Sequence, residues 1–213
     1  MQTKKGQSIE DASMQMIEDE IGSHPYNEKE WPIVRRIIHS TADFDFAGKN
    51  KIIFQKNAIE SGMNALKNGC SIVVDVNGVI GGLNKQNLKD FGNEIICNIS
   101  KPEIMELAKK EGKTRSQVSM RAAKSEINGG IVAIGNAPTA LQEVIKMVNE
   151  GIVKPALIIG IPVGFICAAE SKEELSKLKE TPFITNLGRK GGSSSASAII
   201  NAIFKLIRAE SVS

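Results

Sequence analysis

The chain has 213 residues, 41% hydrophobic and 24% charged, a size and balance that fit a single α/β domain over residues 1–213. A formal net charge of +3, an aromatic content of 4% and the lack of any basic run with interleaved aromatics argue against nucleic acid as a partner. Cys70, Cys97 and Cys167 are odd in number and far apart, which argues against a metal cluster and fits reduced thiols in the cytoplasm; no secretory signal and no uncharged apolar run of membrane-spanning length is found, so no membrane partner is expected.

Residues 1–8 are polar and are expected to form a disordered tail. Residues 9–21 read as a short amphipathic helix with Ile9, Met16, Ile17 and Ile21 as its apolar side and Gly22 as its stop. After a turn at 23–27, a second helix is predicted over 30–40, with Pro32 in the first turn and Trp31, Val34, Ile37 and Ile38 as its buried stripe. Short runs rich in Ile and Val at 51–54, 71–76, 94–97, 130–134 and 156–161 then alternate with helical stretches at 58–67, 79–90, 101–112, 116–126 and 139–149. Strands apolar on both faces, separated by helices, predict an open, doubly wound parallel sheet of about five strands sandwiched by helices. Ligands in such sheets bind at the carboxyl ends of the strands. The final helix, from Ser195, carries Ala196, Ile199, Ile200, Ile203, Phe204 and Ile207 on one stripe and Ala198, Asn201, Lys205 and Arg208 on the other face.

Four segments are chemically unusual. His39 stands at the end of the second helix, after Arg35 and Arg36 and before Asp43 and Asp45. A helix C-terminus and nearby carboxylates favour imidazolium, which suits a proton donor near neutral pH; the alternative is a histidine that only satisfies a terminal carbonyl. Asn136 can cap the helix after the fourth strand, with Pro138 in its first turn, leaving free N–H groups for an anion or forming an ordinary cap. Thr114 or Ser116 can cap a helix with Arg115 at its mouth, and Arg forks well onto carboxylates, though a solvated helix face is the plainer reading. Arg189, Lys190, Gly191 and Gly192 lead into the last helix as an anion cradle or a flexible linker, but not as a P-loop, because the residue order differs and no strand is expected directly before it. A GxGxxG fingerprint after a strand and a GxSxG elbow are both missing, which weakens a nucleotide-dependent oxidoreductase or a serine hydrolase.

With one more stretch, these segments make five pieces in order: Arg35-Arg36-Ile37-Ile38-His39-Ser40-Thr41-Ala42-Asp43; Lys113-Thr114-Arg115-Ser116; Gly135-Asn136-Ala137-Pro138-Thr139-Ala140-Leu141; the stretch from Pro155 to Ala169 with Gly160-Ile161-Pro162-Val163-Gly164-Phe165; and Thr185-Asn186-Leu187-Gly188-Arg189-Lys190-Gly191-Gly192-Ser193. In this the chain resembles the precorrin-8X methylmutase family, with its cobalt-precorrin-8 members, from about Ile17 to Ile207. The resemblance implies a flavodoxin-like fold and an isomerase of cobalamin biosynthesis. Such an enzyme moves a methyl group from C11 to C12 of precorrin-8X or cobalt-precorrin-8 to give hydrogenobyrinate or cobyrinate. It implies no cofactor, any cobalt belonging to the substrate, and a homodimer with the tetrapyrrole bound near the interface. It gives His39 the role of general acid and Arg115 and Ser116 a hold on the substrate, with Ser13 in a first-helix serine position near the ligand. Asn136, Arg189 and Lys190 are further candidates for the ring's carboxylates. Val79, Ile80, Pro162, Val163 and Phe165 are candidates for an apolar slot. The stretch from Asp75 to Gly82 is richer in glycine than the family pattern. A non-catalytic tetrapyrrole carrier is the alternative function.

Overall fold

The computed structural model describes residues 3–211. In chain order the elements are α1 (Lys4–Ile21), α2 (Glu30–Thr41), a 3-10 turn (Phe44–Phe46), β1 (Ile52–Phe54), α3 (Ala58–Lys67), β2 (Ile72–Val74), α4 (Asn77–Gly81), α5 (Lys85–Phe91), β3 (Ile95–Ile96), α6 (Pro102–Glu111), α7 (Arg115–Ala122), α8 (Lys124–Ile127), β4 (Ile131–Ile134), α9 (Pro138–Asn149), β5 (Leu157–Gly160), α10 (Ala168–Leu175), β6 (Phe183–Asn186) and α11 (Ser193–Glu210).

The strands form one sheet in the order β1-β6-β5-β4-β2-β3. β2 to β5 are parallel, as expected; β6, which the sequence did not predict, continues the parallel order as a sixth strand among the described residues, and β1 runs antiparallel to it with Ile53 opposite Thr185, so the sheet is mixed. The central strands are buried on both faces and divide their side chains by alternation. Ile72, Val74, Ile131, Ala133, Leu157 and Ile159 face one core, shared with α2, α3 and α11. Val73, Val132, Ile134 and Ile158 face a second core under α7, α9 and α10. Each fully buried Ile or Val contributes about 1.5–3 kcal/mol, and these two cores hold the layers together.

Several local expectations are corrected. No tail spans residues 3–8: Thr3 Oγ1 accepts the Gly6 N–H at 3.1 Å and α1 starts at Lys4. On α1 only Ile17 is buried; Met14 and Ile21 pack partly against the same core, Ile9 and Met16 face outward, and ion pairs from Glu10 and Glu18 to Arg36 and Arg35 add to that packing. The helix expected over 79–90 is two helices, since Asn84 Oδ1 caps a new one by accepting from Gln86 and Asn87. The helix expected over 116–126 likewise breaks between α7 and α8. Ala198 is buried with the apolar stripe of α11, because α11 is covered by α2 and α3 as well as by the sheet. The expectation that no strand directly precedes the glycine-rich turn is also overturned: residues 183–186 form β6.

β4 is fitted closely at its start. A Cβ on Gly130 would lie 2.1 Å from the Glu126 carbonyl oxygen and 2.8 Å from that of Ser71, both rigid backbone atoms. Gly130→Ala is expected to cost about 1–3 kcal/mol in urea unfolding, whereas Gly81→Ala, with open space around it, stays within about 0.5 kcal/mol of the parent or gains stability. Equal midpoints for the two variants contradict this packing.

Candidate active site

Strand order reverses between β2 and β4: the chain leaves β2 for β3 on one side and returns to β4 on the other. Crevices at such switch points are where open α/β sheets hold ligands. Here the crevice is already closed by Asp75, the residue after β2, which is fully buried. Its carboxylate accepts the backbone N–H groups of Gly135 (3.0 Å), Asn136 (2.7 Å) and Ala137 (2.6 Å). Burial pushes this carboxyl above its ordinary value, against the pull of those three donors. The free N–H groups expected after the fourth strand are thus occupied from inside the protein. Asn136 is not the cap of α9 either; Ala137 holds that position without a side-chain bond, and the Asn136 side chain is left exposed at the edge.

The neighbouring loops are stitched to this turn. Val163 N–H donates to the Gly135 carbonyl at 3.3 Å, Gly164 N–H to that of Arg189 at 3.1 Å, and Gly192 N–H to that of Ile161 at 3.0 Å. The approach is so close that a Cβ on Gly135 would lie 2.7 Å from Ser193 Cα. Thr114 caps α7 through a capping box with Gln117, and its hydroxyl meets that of Thr139 at 3.1 Å. Thr114, not Ser116, is therefore the cap. Arg115 and Ser116 come to the start of α9, beside Asn136. Arg189 is exposed, with its guanidinium 5.6 Å from the centre of the Phe165 ring. Of the expected slot residues, Val163 and Phe165 face outward and Ile80 is half-buried, but Val79 and Pro162 belong to the interior and cannot line a slot.

His39 is half-buried on the last turn of α2, and its ring has no hydrogen-bond partner among the described residues. The carboxylates expected to support it are engaged elsewhere. Lys190 Nζ contacts Asp43 Oδ2 at 2.8 Å and Asp45 Oδ2 at 2.7 Å. Lys190 is thus neutralised within the chain, and it ties the β6–α11 loop to the segment that follows α2. The charged neighbours of His39 are instead Arg36, Glu10 and Lys205, and burial together with Arg36 pushes the imidazole below its ordinary value, opposite to the direction expected from the helix terminus. These three also line a groove of about 700 Å³ between α1, α2 and α11. There Glu10 Oε1 bridges Arg36 at 2.7 Å and Lys205 at 3.4 Å, and Glu18 pairs with Arg35. Ser13 lies one turn beyond Glu10 on α1, with its hydroxyl donated back to the Ile9 carbonyl at 2.8 Å.

The structure therefore gathers Arg115, Ser116, Asn136 and Arg189 along one edge and links that edge through Lys190 to the end of α2 that carries His39. Among the described residues no hydrogen bond joins His39 to Ser13 or Arg115. No group of three or more His, Cys, Asp or Glu side chains is poised for a metal among the described residues. The three cysteines are half-buried and free, and burial pushes the Cys70 thiol up to about 11. Sequence reasoning missed the inward roles of Asp75 and Lys172, although Asp75 stood at a junction already noted as unusual.

The comparisons with known proteins decide the family. The profile of the family described as Precorrin-8X methylmutase matches residues 8–206. The chain belongs to the precorrin-8X methylmutase family. The Cobalt-precorrin-8 methylmutase of Priestia megaterium is 50% identical over 201 residues, covering 94% of this chain and 88% of that one. The protein of the same name from Leptospira interrogans serogroup Icterohaemorrhagiae serovar Lai is 46% identical over 211 residues, covering 96% and 95%. The solved structure of precorrin-8x methyl mutase from Thermus thermophilus superposes with a TM-score of 0.88 at 36% identity, covering 96% of this chain and 98% of that one. The methylmutase described here is accordingly an isomerase of cobalamin biosynthesis.

With only two histidines, the methylmutase permits a direct reading of His39 by proton–carbon NMR. Its titration midpoint is expected below 6.5; Arg36→Gln moves it up and Glu10→Gln moves it further down. A midpoint at or above 6.5 in the parent protein contradicts the electrostatic assignment.

Proposed function

We propose that this methylmutase transfers the C11 methyl group of cobalt-precorrin-8 to C12, giving cobyrinate, with His39 as general acid. The cobalt-bearing substrate is favoured over precorrin-8X by the names of the relatives at 50% and 46% identity. The observation that supports the acid role is the setting of His39: an imidazole with no hydrogen-bond partner among the described residues, next to Arg36 and Lys205, which line the groove. One carbon–carbon bond breaks and another forms within the same molecule, so the step is redox-neutral and needs no cofactor; cobalt is part of the substrate. Proton donation to a ring nitrogen or adjacent carbon helps the conjugated ring redistribute electrons as the methyl group leaves C11. Such assistance is worth about 10²–10⁴-fold.

The lowered basicity of His39 fits this task. An imidazolium held next to Arg36 and Lys205 is a stronger acid than a free one. Carboxylate arms of the ring that approach these cations raise the imidazole again, so that it is protonated when substrate is bound. Arg115, Arg189, Ser116 and Asn136 hold other arms at the carboxyl edge, and Ser13 lies on the helix that borders the groove. Lys190 acts from behind, by holding Asp43 and Asp45.

The same edge supports a homodimer. Phe165 is 83% exposed, Ile166 81% and Val163 45%, and they adjoin the exposed Leu187 through the bond between Gly164 and Arg189. Exposed apolar patches of this kind mark interaction sites. A second copy covering this patch puts the tetrapyrrole near the interface. No described helix is long and apolar enough to cross a membrane, which fits action in the cytoplasm.

Anaerobic single-turnover assays with cobalt-bearing and cobalt-free precursor test the reaction. The parent protein is expected to shift the spectrum of the cobalt-bearing precursor, and His39→Asn to lower the rate by about 10²–10⁴-fold while still binding corrinoid tightly. Undiminished turnover removes His39 from the mechanism, and binding by the parent protein with the methyl group left at C11 identifies a carrier. In analytical ultracentrifugation Phe165→Asp is expected to convert dimer to monomer; an unchanged sedimentation coefficient moves the interface elsewhere.

A further inference from the structure

The loop that carries Arg189 and Lys190 is fastened by one buried amine. Lys172 projects from α10 into the interior and is fully buried. Its Nζ donates to the Lys190 carbonyl at 2.7 Å and to Asn186 Oδ1 at 3.2 Å. Asn186 Nδ2 in turn donates to the Lys190 carbonyl at 3.0 Å and to the Leu187 carbonyl at 3.1 Å. Carbonyls from both ends of the turn 187–190 thus converge on two buried side chains. All partners of the amine are neutral. Glu170, Glu173 and Glu174 on its own helix are exposed, Glu143 of α9 is paired with Arg121, and the Lys190 ammonium contacts Asp43 and Asp45. Burial alone pushes Lys172 down to about 8. An apolar side chain of the same length would fill this space without the desolvation cost of an amine. What the amine adds is one hydrogen bond to the loop and one to Asn186, the side chain that itself holds the loop.

We propose that Lys172 is a positioning residue for the methyl shift: through the Lys190 carbonyl it locks the β6–α11 loop so that Arg189 faces the open edge and the Lys190 side chain grips Asp43 and Asp45 behind His39. The proposal rests on the reading of Arg189 as a ligand for substrate carboxylates. Charge-assisted hydrogen bonds are stronger than neutral ones, so loss of the Lys172 proton loosens the loop without unfolding the domain.

Lys172→Met, which keeps the stem and removes the donor, tests this by amide hydrogen exchange and by kinetics between pH 6.5 and 9.5. The expected results are exchange about tenfold faster at 187–192 with α9 unchanged, a KM for precursor raised about tenfold, and a KM that rises near pH 8 in the parent protein but not in the variant. A lowered melting temperature with unchanged loop exchange, KM and pH profile overturns the proposal. Faster loop exchange with an unchanged KM also overturns it; the brace then exists, and it is the substrate contact of Arg189 that has failed. If Lys172→Met does not fold, the parent protein decides. Loop protection, corrected for intrinsic exchange, that falls through pH 8 supports the proposal, and protection that stays flat overturns it.

Discussion

Three backbone N–H groups converging on the Asp75 carboxylate determine what the carboxyl edge of this sheet can do. The carboxylate comes from the end of β2 and the donors from the turn after β4, so the contact closes the point where strand order reverses. An open turn at this place would be an anion site. Filled from within, it is instead a rigid corner on which the β5–α10 and β6–α11 loops are laid. Removing one partner of such a buried group leaves the others without compensation, and the cost is borne by the whole corner. The side chains of Arg115 and Arg189 on the rim remain exposed, which is why the proposed recognition of an anionic macrocycle rests on them.

From that corner the connections run outward to His39. Lys172 and Asn186 hold the carbonyl of Lys190, and the Lys190 ammonium holds Asp43 and Asp45. The two carboxylates nearest to His39 in sequence are thereby taken out of its field. Burial and Arg36 then dominate, with Glu10, which bridges Arg36 and Lys205, as a partial counterweight. In the proposed mechanism this arrangement, and no single residue in it, keeps the acid weakly basic until anionic substrate arrives.

Much of the layered architecture was legible because β2, β4 and β5 are continuous Ile and Val runs and the helices between them have clear apolar stripes. β6 was not, because Thr185 and Asn186 are polar. Their burial is made tolerable by the Gly160 carbonyl and by Lys172 and Lys190, partners that no local pattern reveals. α10 escaped notice for a similar reason: Ala168–Leu175 is rich in charge, yet Lys172 points inward. The antiparallel direction of β1 is set by pairing with a strand about 130 residues later, so residues 51–54 carry no sign of it. At the site, the ordered motifs fall on loops that the fold brings to the carboxyl edge of the sheet. They did not distinguish side chains that face a ligand from those that fasten the loops, as Lys190 does, and the inference from Asp43 and Asp45 to a strengthened imidazolium failed for that reason.

The most direct measurement is an NMR titration of isotope-labelled protein with the metal-free product, hydrogenobyrinate, which avoids a paramagnetic centre. The account predicts that the His39 ring and the Arg115 and Arg189 side-chain signals shift on binding, while the amides of Gly135, Asn136 and Ala137 stay bonded to Asp75 and hold their positions. Release of those three amides to the ligand, with the His39 signal unmoved, would contradict it.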